Sequence, residues 1–160
     1  MFETRNDIPA ATRKSSIELL NARLADAIDL STQMKHAHWN VKGTDFFQLH
    51  ELFDQLATEV FVFIDIIAER VTALGGTARG TLANVSRTTS LQPYPEEISD
   101  GMAHVEALSA VVADFGRKVR AAIEASAKIG DADTSDLFTG VSRETDKNLW
   151  LLEAHLYTKR

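Results

Sequence analysis

Apolar residues recur every three or four positions along four long stretches of the chain. That spacing places them on one face of an α-helix, and no stretch alternates as a half-buried strand does. All three prolines lie outside the interiors of these stretches, so nothing in them breaks a helix. The pattern predicts an all-α fold whose long helices span residues 12–41, 44–74, 95–129 and 134–157.

The ends of these helices are predicted from their capping residues. Thr12 is a suitable cap for the first helix, and Pro95, followed by two glutamates, suits the first turn of the third. Asp133 or Thr134 suits the cap of the fourth helix. Glycines follow the first three helices, as expected where a helix stops.

The connection between the second and third helices is too long for a tight turn. Residues 77–94 are rich in Thr, Ser, Gly and Asn, and a short helix fits at about residues 81–85. One long middle connection among four helices predicts a bundle with a single crossover. The bundle domain is expected to span residues 12–160, after a short N-terminal tail of residues 1–11.

Composition narrows the chemistry without changing this fold. The chain has 160 residues, which suits one domain, and no cysteine, which excludes disulfides, thiolate metal ligands and a cysteine nucleophile. The net charge of −6 disfavours nucleic acid and is compatible with attracting cations. No signal peptide or membrane-spanning stretch is visible, so a cytoplasmic location without a membrane partner is expected.

The second predicted helix carries two pairs of candidate metal ligands. His50 and Asp54 are four positions apart, as are Asp65 and Glu69, so each pair shares a helix face. The two pairs are separated by about 22 Å along the helix axis, so one copy cannot bring both to one metal ion. The pattern alone is equally that of a solvated polar face.

The two pairs are, however, symmetric about one point of the helix. Positions 50 and 69 share their midpoint, 59.5, with positions 54 and 65. Two copies packed antiparallel about a two-fold axis there bring His50 level with the partner subunit's Glu69, and Asp54 level with the partner subunit's Asp65. His38, near the end of the first helix, can fold back towards the same place. Imidazole and carboxylate ligands without thiolate suit Fe(II), Mn(II) or Zn(II).

A di-iron centre inside one subunit is not expected. Such centres usually take a Glu-x-x-His motif from each of two helices, and none of the five histidines has a glutamate three positions before it. This favours the shared centre. His36 points to a different side of its helix from His38 and is left out of the centre, while His104 and His155 are expected to be structural.

Several short motifs resemble those of the Dps family of mini-ferritins. They are His38-Trp39-Asn40-Val41-Lys42-Gly43, Phe46, Leu49-His50, Asp54, Asp65 and Ala68-Glu69-Arg70, with Asp146-Lys147-Asn148-Leu149-Trp150 and Glu153-Ala154-His155 near the C-terminus. The resemblance covers nearly the whole chain after residue 12. It implies a ferritin-like four-helix bundle that assembles from two-fold dimers into a hollow dodecamer, with ferroxidase centres between subunits and a ferric mineral inside.

The resemblance also implies the ligands of each centre, which would hold up to two iron ions and no haem. His38, His50 and Asp54 would come from one subunit, and Asp65 and Glu69 from its partner. Asp65 and Glu69 would bind iron most tightly, with His38 reaching in from the other chain. His50 and Asp54 would hold a second iron or a water molecule.

Two further roles follow from the same resemblance. Trp39 lies beside the centre and is implied to donate or trap an electron during oxidation. The acidic region before the fourth helix is implied to line cation pores on three-fold axes, with Asp136 as the first candidate and Asp131 as the second. Asp133, in the same cluster, is as readily a helix cap.

The implied function is that of a ferroxidase. It would oxidise Fe(II) with hydrogen peroxide, or with oxygen, and store ferric iron, protecting the cell from oxidative damage. The alternative is a structural, nucleoid-associated protein that compacts DNA, but residues 1–14 hold only three basic side chains against two acidic ones, and the C-terminus adds only Lys159 and Arg160. A 24-subunit ferritin with bound haem is disfavoured by the missing Glu-x-x-His motifs.

Overall fold

A computed structural model describes residues 1–157 of the chain, and Lys159 and Arg160 lie outside the described residues. Its helices are α1 (Ala10–Asn40), α2 (Phe46–Ala73), α3 (Leu82–Thr88), α4 (Gly101–Lys128) and α5 (Ala132–Glu153). The described residues contain no strand, and a single isolated bridge joins Lys42 to Asp100. The all-α prediction is therefore confirmed, with α3 as the short helix of the crossover.

The bundle is built from two helical hairpins joined by the crossover. α1 packs along α2, α4 packs along α5, and α1 also contacts α4. Their apolar stripes meet in one core, in which the largest fully buried side chains include Phe53, Phe115 and Phe138. Truncating a buried phenylalanine of this kind costs about 3–5 kcal/mol. Trp150 lies on the surface of the bundle and is 63% exposed.

The start of α4 differs from the prediction. The helix begins at Gly101 and not at Pro95, because Asp100 is its N-cap and accepts a hydrogen bond from the backbone N–H of Ala103 at 3.0 Å. Gly101 also brings the two hairpins together, since a Cβ there would lie 2.6 Å from a methyl carbon of Leu49. Residues 95–99 therefore belong to the crossover.

The starts of α1 and α5 also differ from their predicted caps. α1 begins at Ala10, after Pro9, and the Thr12 hydroxyl instead donates a tertiary hydrogen bond to the carbonyl of Ile129. α5 is capped by Asp131, whose carboxylate accepts from the backbone N–H of Thr134 at 3.0 Å. Neither Asp133 nor Thr134 is the cap.

The N-terminal residues lie against the end of α2. The backbone N–H of Phe2 donates to the carbonyl of Gly75 at 2.7 Å. The Arg13 guanidinium donates to the carbonyls of Ile8 and Leu74 and so ties the segment to the bundle. Gly75 has a φ of +84°, and a Cβ there would lie 2.8 Å from the carbonyl oxygen of Phe2, so only glycine fits this approach.

No helix in the described part of the chain is long and apolar enough to cross a membrane.

Candidate metal centre

His38 and His50 lie side by side where α1 turns into α2. Gly43, with a φ of +114°, allows the chain to reverse there. The two imidazole rings stack with centroids 3.8 Å apart. The Nδ1 atom of His38 lies 2.7 Å from the carbonyl oxygen of His50, and the Nδ1 atom of His50 lies 2.8 Å from the carbonyl oxygen of His38.

These reciprocal contacts fix the tautomer of both rings. A carbonyl oxygen only accepts hydrogen bonds, so each Nδ1 carries the proton and donates it. In the neutral form of either ring, the Nε2 atom then carries a lone pair. A hydrogen bond from one ring nitrogen to a carbonyl is the usual support of a histidine that binds metal through the other nitrogen. The pair is thus prepared as two nitrogen ligands.

Asp54 lies near the two histidines but is engaged by a lysine that sequence reasoning missed. The Lys35 ammonium lies 2.5 Å from the Asp54 carboxylate, and this hydrogen bond holds the pKa of Asp54 below its usual value. Lys35 also lies 5.7 Å from the ring centroid of Trp39, which is 68% exposed. Asp54 is therefore ionised, with one oxygen occupied by Lys35. Nothing in the spacing of the chain signalled this tertiary pair.

Asp65 and Glu69 lie on the same helix, further towards its C-terminus, and both are exposed. Within residues 1–157, neither side-chain carboxylate takes part in an ion pair or a hydrogen bond. In the same part of one protomer, no group of three His, Asp or Glu side chains gathers to hold a metal ion. The fold thus brings His38 and His50 together, with Asp54 near them but paired with Lys35, and leaves Asp65 and Glu69 apart.

Large apolar side chains are exposed on the α2 surface among the candidate ligands. Phe61 is 64% exposed, Val62 55% and Ile66 37%, and Phe47 is 67% exposed near the helix start. Exposed apolar side chains grouped on one helix face commonly mark a surface that another protein covers.

The two pore candidates have different surroundings. Asp136 is exposed on α5, beside small residues at the junction of α4 and α5. Asp131 is buried and accepts hydrogen bonds from Ser16 and Thr134, and the Arg70 guanidinium lies 2.8 Å from its carboxylate. Asp131 is engaged inside the protomer, so Asp136 is the pore candidate whose carboxylate is exposed.

The pKa of Asp131 reflects the same surroundings. Burial raises the pKa of this carboxyl, but the hydrogen bonds from Ser16 and Thr134, with the charge of Arg70, outweigh burial and leave the pKa below its usual value. Asp131 is therefore a charged structural group.

Comparisons with known proteins agree with this architecture. Residues 17–160 match the Ferritin-like domain family. The chain is 45% identical to the "DNA protection during starvation protein" of Agrobacterium fabrum, over 98% of this chain and 97% of that protein. Among solved structures, DpsA14 from Streptomyces coelicolor is 35% identical, with a TM-score of 0.91 over 97% of this chain and 92% of that one. DpsC from the same organism is 30% identical, with a TM-score of 0.92 over 100% and 92%.

Proposed function

Because the chain belongs to the Dps family of ferritin-like proteins, we propose that it oxidises Fe(II) at centres shared between two copies and stores the ferric product. Hydrogen peroxide is the preferred oxidant, with oxygen as the slower one. The observation that carries the proposal is the division of ligands on one protomer. Two histidines are held by hydrogen bonds near the start of α2. Two carboxylates without described partners lie nearer its C-terminal end, at positions symmetric to the first ligand pair about position 59.5.

An antiparallel dimer about position 59.5 of α2 supplies both halves of each centre. His38, His50 and Asp54 of one subunit then face Asp65 and Glu69 of its partner. The same register places Phe61 against the partner subunit's Thr58 and covers the exposed apolar side chains of this face. Burying apolar surface of this kind stabilises association by about 25 cal/mol per Å².

The ligands divide the work within each centre. Asp65 and Glu69 are anionic oxygen ligands without competing partners, so they bind Fe(II) most strongly, and His38 completes that position. His50 and Asp54 form a weaker second position, because Asp54 already pairs with Lys35. Two Fe(II) ions supply the two electrons that break the O–O bond of peroxide to two hydroxide ions, so no hydroxyl radical is released.

The dimers assemble into a hollow dodecamer in this proposal. Each chain carries a net charge of −6, which favours the approach of cations. Exposed Asp136 side chains around three-fold axes then line the openings through which Fe(II) enters. Light scattering of the purified protein measures the assembly mass and separates twelve subunits from two or twenty-four.

Mixed assemblies test the shared centre. One variant chain carries His38→Ala with His50→Ala, and a second carries Asp65→Asn with Glu69→Gln. Each variant alone is expected to oxidise no iron. In heterodimers one of the two centres is intact, so random mixing restores about a quarter of the wild-type centres. A centre contained in one subunit would give no recovery on mixing, and that result would overturn the shared arrangement.

Anaerobic Fe(II) titration followed by peroxide tests the oxidation itself. Wild-type protein is expected to bind a few Fe(II) per dimer and to convert them to Fe(III) without detectable hydroxyl radical, followed by spin trapping. Glu18→Gln, which removes an exposed charge of α1 beside the crossover, is the matched control. Its iron binding and oxidation should equal those of the wild type.

Direct DNA compaction is the second candidate function, and the name of the Agrobacterium relative favours it. The N-terminal segment argues against it, because Phe2 is hydrogen-bonded to Gly75 and Arg13 is engaged by backbone carbonyls. Of the three basic side chains among residues 1–14, those contacts leave Arg5 and Lys14 without a hydrogen-bond or ion-pair partner in the described part of the chain. A gel shift at physiological salt decides the matter, with no retardation of DNA expected.

A further inference from the structure

A half-buried tyrosine and a buried histidine form a pair between the crossover and α4, and the proposed iron ligands do not include them. The hydroxyl oxygen of Tyr94 lies 2.7 Å from the Nδ1 atom of His104. His104 is fully buried, and the two rings are nearly parallel, with an interplanar angle of 13°. Sequence reasoning treated His104 as structural and gave Tyr94 no role.

Both members of the pair are neutral at physiological pH. Burial raises the pKa of the Tyr94 phenol and is the main cause that lowers the pKa of His104, with the nearby charge of His36 adding to the effect. A phenol is a stronger acid than a neutral imidazole, so Tyr94 donates the hydrogen bond and Nδ1 of His104 accepts it. A phenol in this arrangement has a base in position to take its proton.

Tyr94 shares one surface cavity with Trp39, the aromatic side chain beside the candidate centre. Tyr94, His36 and Trp39 all line a cavity of about 380 Å³. The ring of Tyr94 lies 5.2 Å from that of His36, centroid to centroid. The ring of Trp39 lies 5.7 Å from the Lys35 ammonium, which pairs with the candidate ligand Asp54. Aromatic side chains therefore lead from the centre to the phenol that faces His104.

We propose that Tyr94 is a redox-active side chain that gives one electron to the iron centre through Trp39 while its phenolic proton moves to Nδ1 of His104. The inference rests on the proposed ferroxidase function. It applies when a centre holds one Fe(II) instead of two. Hydrogen peroxide then takes one electron from Fe(II) and one from Tyr94, and its O–O bond breaks to two hydroxide ions. The phenolic O–H bond breaks, leaving a neutral tyrosyl radical and a protonated His104.

This relay gives a singly loaded centre the second electron that it lacks. Without that electron, one Fe(II) and peroxide would form a hydroxide ion and a free hydroxyl radical. The imidazole matters because a phenol that loses an electron becomes strongly acidic, and its proton needs an acceptor within hydrogen-bond distance. His104 later returns the proton when Tyr94 is reduced again.

The small number of tyrosines allows a tyrosyl radical to be assigned to one residue. There are two tyrosines, Tyr94 and Tyr157, and Tyr157 is 78% exposed. Wild-type protein is loaded anaerobically with one Fe(II) per centre, mixed with peroxide and frozen within milliseconds for electron paramagnetic resonance. A tyrosyl signal is expected in wild type and in Tyr157→Phe, and at least a tenfold smaller one in Tyr94→Phe. Spin-trapped hydroxyl radical should rise in Tyr94→Phe alone.

A variant of the base separates a redox role from a structural one. His104→Leu keeps an apolar side chain in the buried site but removes the proton acceptor. The tyrosyl yield should fall several-fold, and the radical that remains should show a larger principal g value, because the phenoxyl oxygen has lost its hydrogen bond. A purely structural pair would change thermal stability and leave the radical yield per folded centre unchanged.

Three results bear on the two proposals differently. A tyrosyl signal that survives Tyr94→Phe and vanishes in Tyr157→Phe overturns the relay. So does Fe(III) formation in wild type with no tyrosyl signal, while the ferroxidase proposal stands. If wild-type protein forms no Fe(III) with peroxide, the ferroxidase proposal fails and the relay fails with it.

Discussion

Acidic side chains in two regions of this chain have opposite surroundings. At the start of α5, Asp131 is buried and accepts hydrogen bonds from Ser16 and Arg70. On α2, Asp65 and Glu69 are exposed and without polar partners among the described residues. The carboxylate of Asp131 makes its contacts within the protomer, whereas the other two carboxylates are available to a metal ion or a partner subunit.

The difference separates structural charge from functional charge. Burying a carboxylate costs hydration free energy, which hydrogen bonds and an opposite charge must offset. A buried carboxylate with such partners therefore has a structural role. Carboxylates on a helix face that also exposes Phe61 and Val62 point to an interface and a ligand. The residue type is the same in both regions, and the surroundings decide the role.

Removing the free carboxylates should give the largest effect. In Asp65→Asn with Glu69→Gln, two direct ligands are replaced by neutral amides of the same shape. Loss of a supporting contact around a metal costs 10–100-fold, so loss of both ligands should slow peroxide-dependent Fe(II) oxidation by about a thousandfold or more. The free energy of unfolding should change by less than about 0.5 kcal/mol, because both side chains are exposed.

Stopped-flow absorbance of Fe(III) measures the rate in that experiment, and urea unfolding measures the stability. A variant that oxidised iron at the wild-type rate would show that Asp65 and Glu69 are not the functional ligands. A variant that lost several kcal/mol of stability would show that these carboxylates are structural after all.

Replacing Asp131 should lower the stability of the fold and leave the oxidation rate unchanged. Asp131→Asn leaves the Arg70 guanidinium without its buried counter-charge and weakens the cap of α5, so stability should fall by about 2–3 kcal/mol. The oxidation rate per folded centre should not change. Asp133→Asn is the matched control, since Asp133 lies 3.7 Å from the same guanidinium but is 79% exposed, and it should cost less than about 0.5 kcal/mol.

The stabilisation that the Asp131 carboxylate provides should depend on pH. Its pKa is lower in the folded chain than in the unfolded chain, so its contribution is present above the unfolded pKa and is lost as pH falls through the folded pKa. The stability difference between wild type and Asp131→Asn should be constant from about pH 5 to 8 and shrink below about pH 4. Urea midpoints at these pH values measure it, and a difference that grows in acid would contradict the assigned charge state.

The sequence predicted the helices well where the signals are local and long. The apolar stripes of α1 and α2 continue for several turns, and their helices end within a few residues of the prediction. The start of α4 failed because Pro95 and Asp100 offer similar local signals. The choice depends on the packing of Gly101 against Leu49 from another helix, which no local pattern contains.

The candidate site divides in the same way. The spacing of the α2 ligands is a property of one helix, so the symmetry of their positions could be read directly. The mutual hydrogen bonds of His38 and His50 depend on the geometry of a turn, and the ion pair of Lys35 with Asp54 on two packed helices. The burial of Asp131 depends on Arg70, which lies 61 positions away in the chain. Contacts of this kind need the fold before they can be predicted.

The smallest expected effect concerns Lys35. This lysine pairs with Asp54, so one proposed ligand has an ionic partner inside the protomer. Lys35→Met keeps the aliphatic stem but removes the charge that pairs with Asp54. A unit charge repels a divalent ion at about 6 Å by roughly 1 kcal/mol in water, so Fe(II) binding at the weaker position should tighten about five- to tenfold.

Anaerobic calorimetry measures this affinity. Lys42→Met, which replaces an exposed lysine of the adjacent turn, is the control. The gain should shrink at high salt, because the repulsion is screened. Weaker binding in Lys35→Met would mean that the lysine orients Asp54 for the metal, and the satisfied carboxylate would then belong to the functional region too.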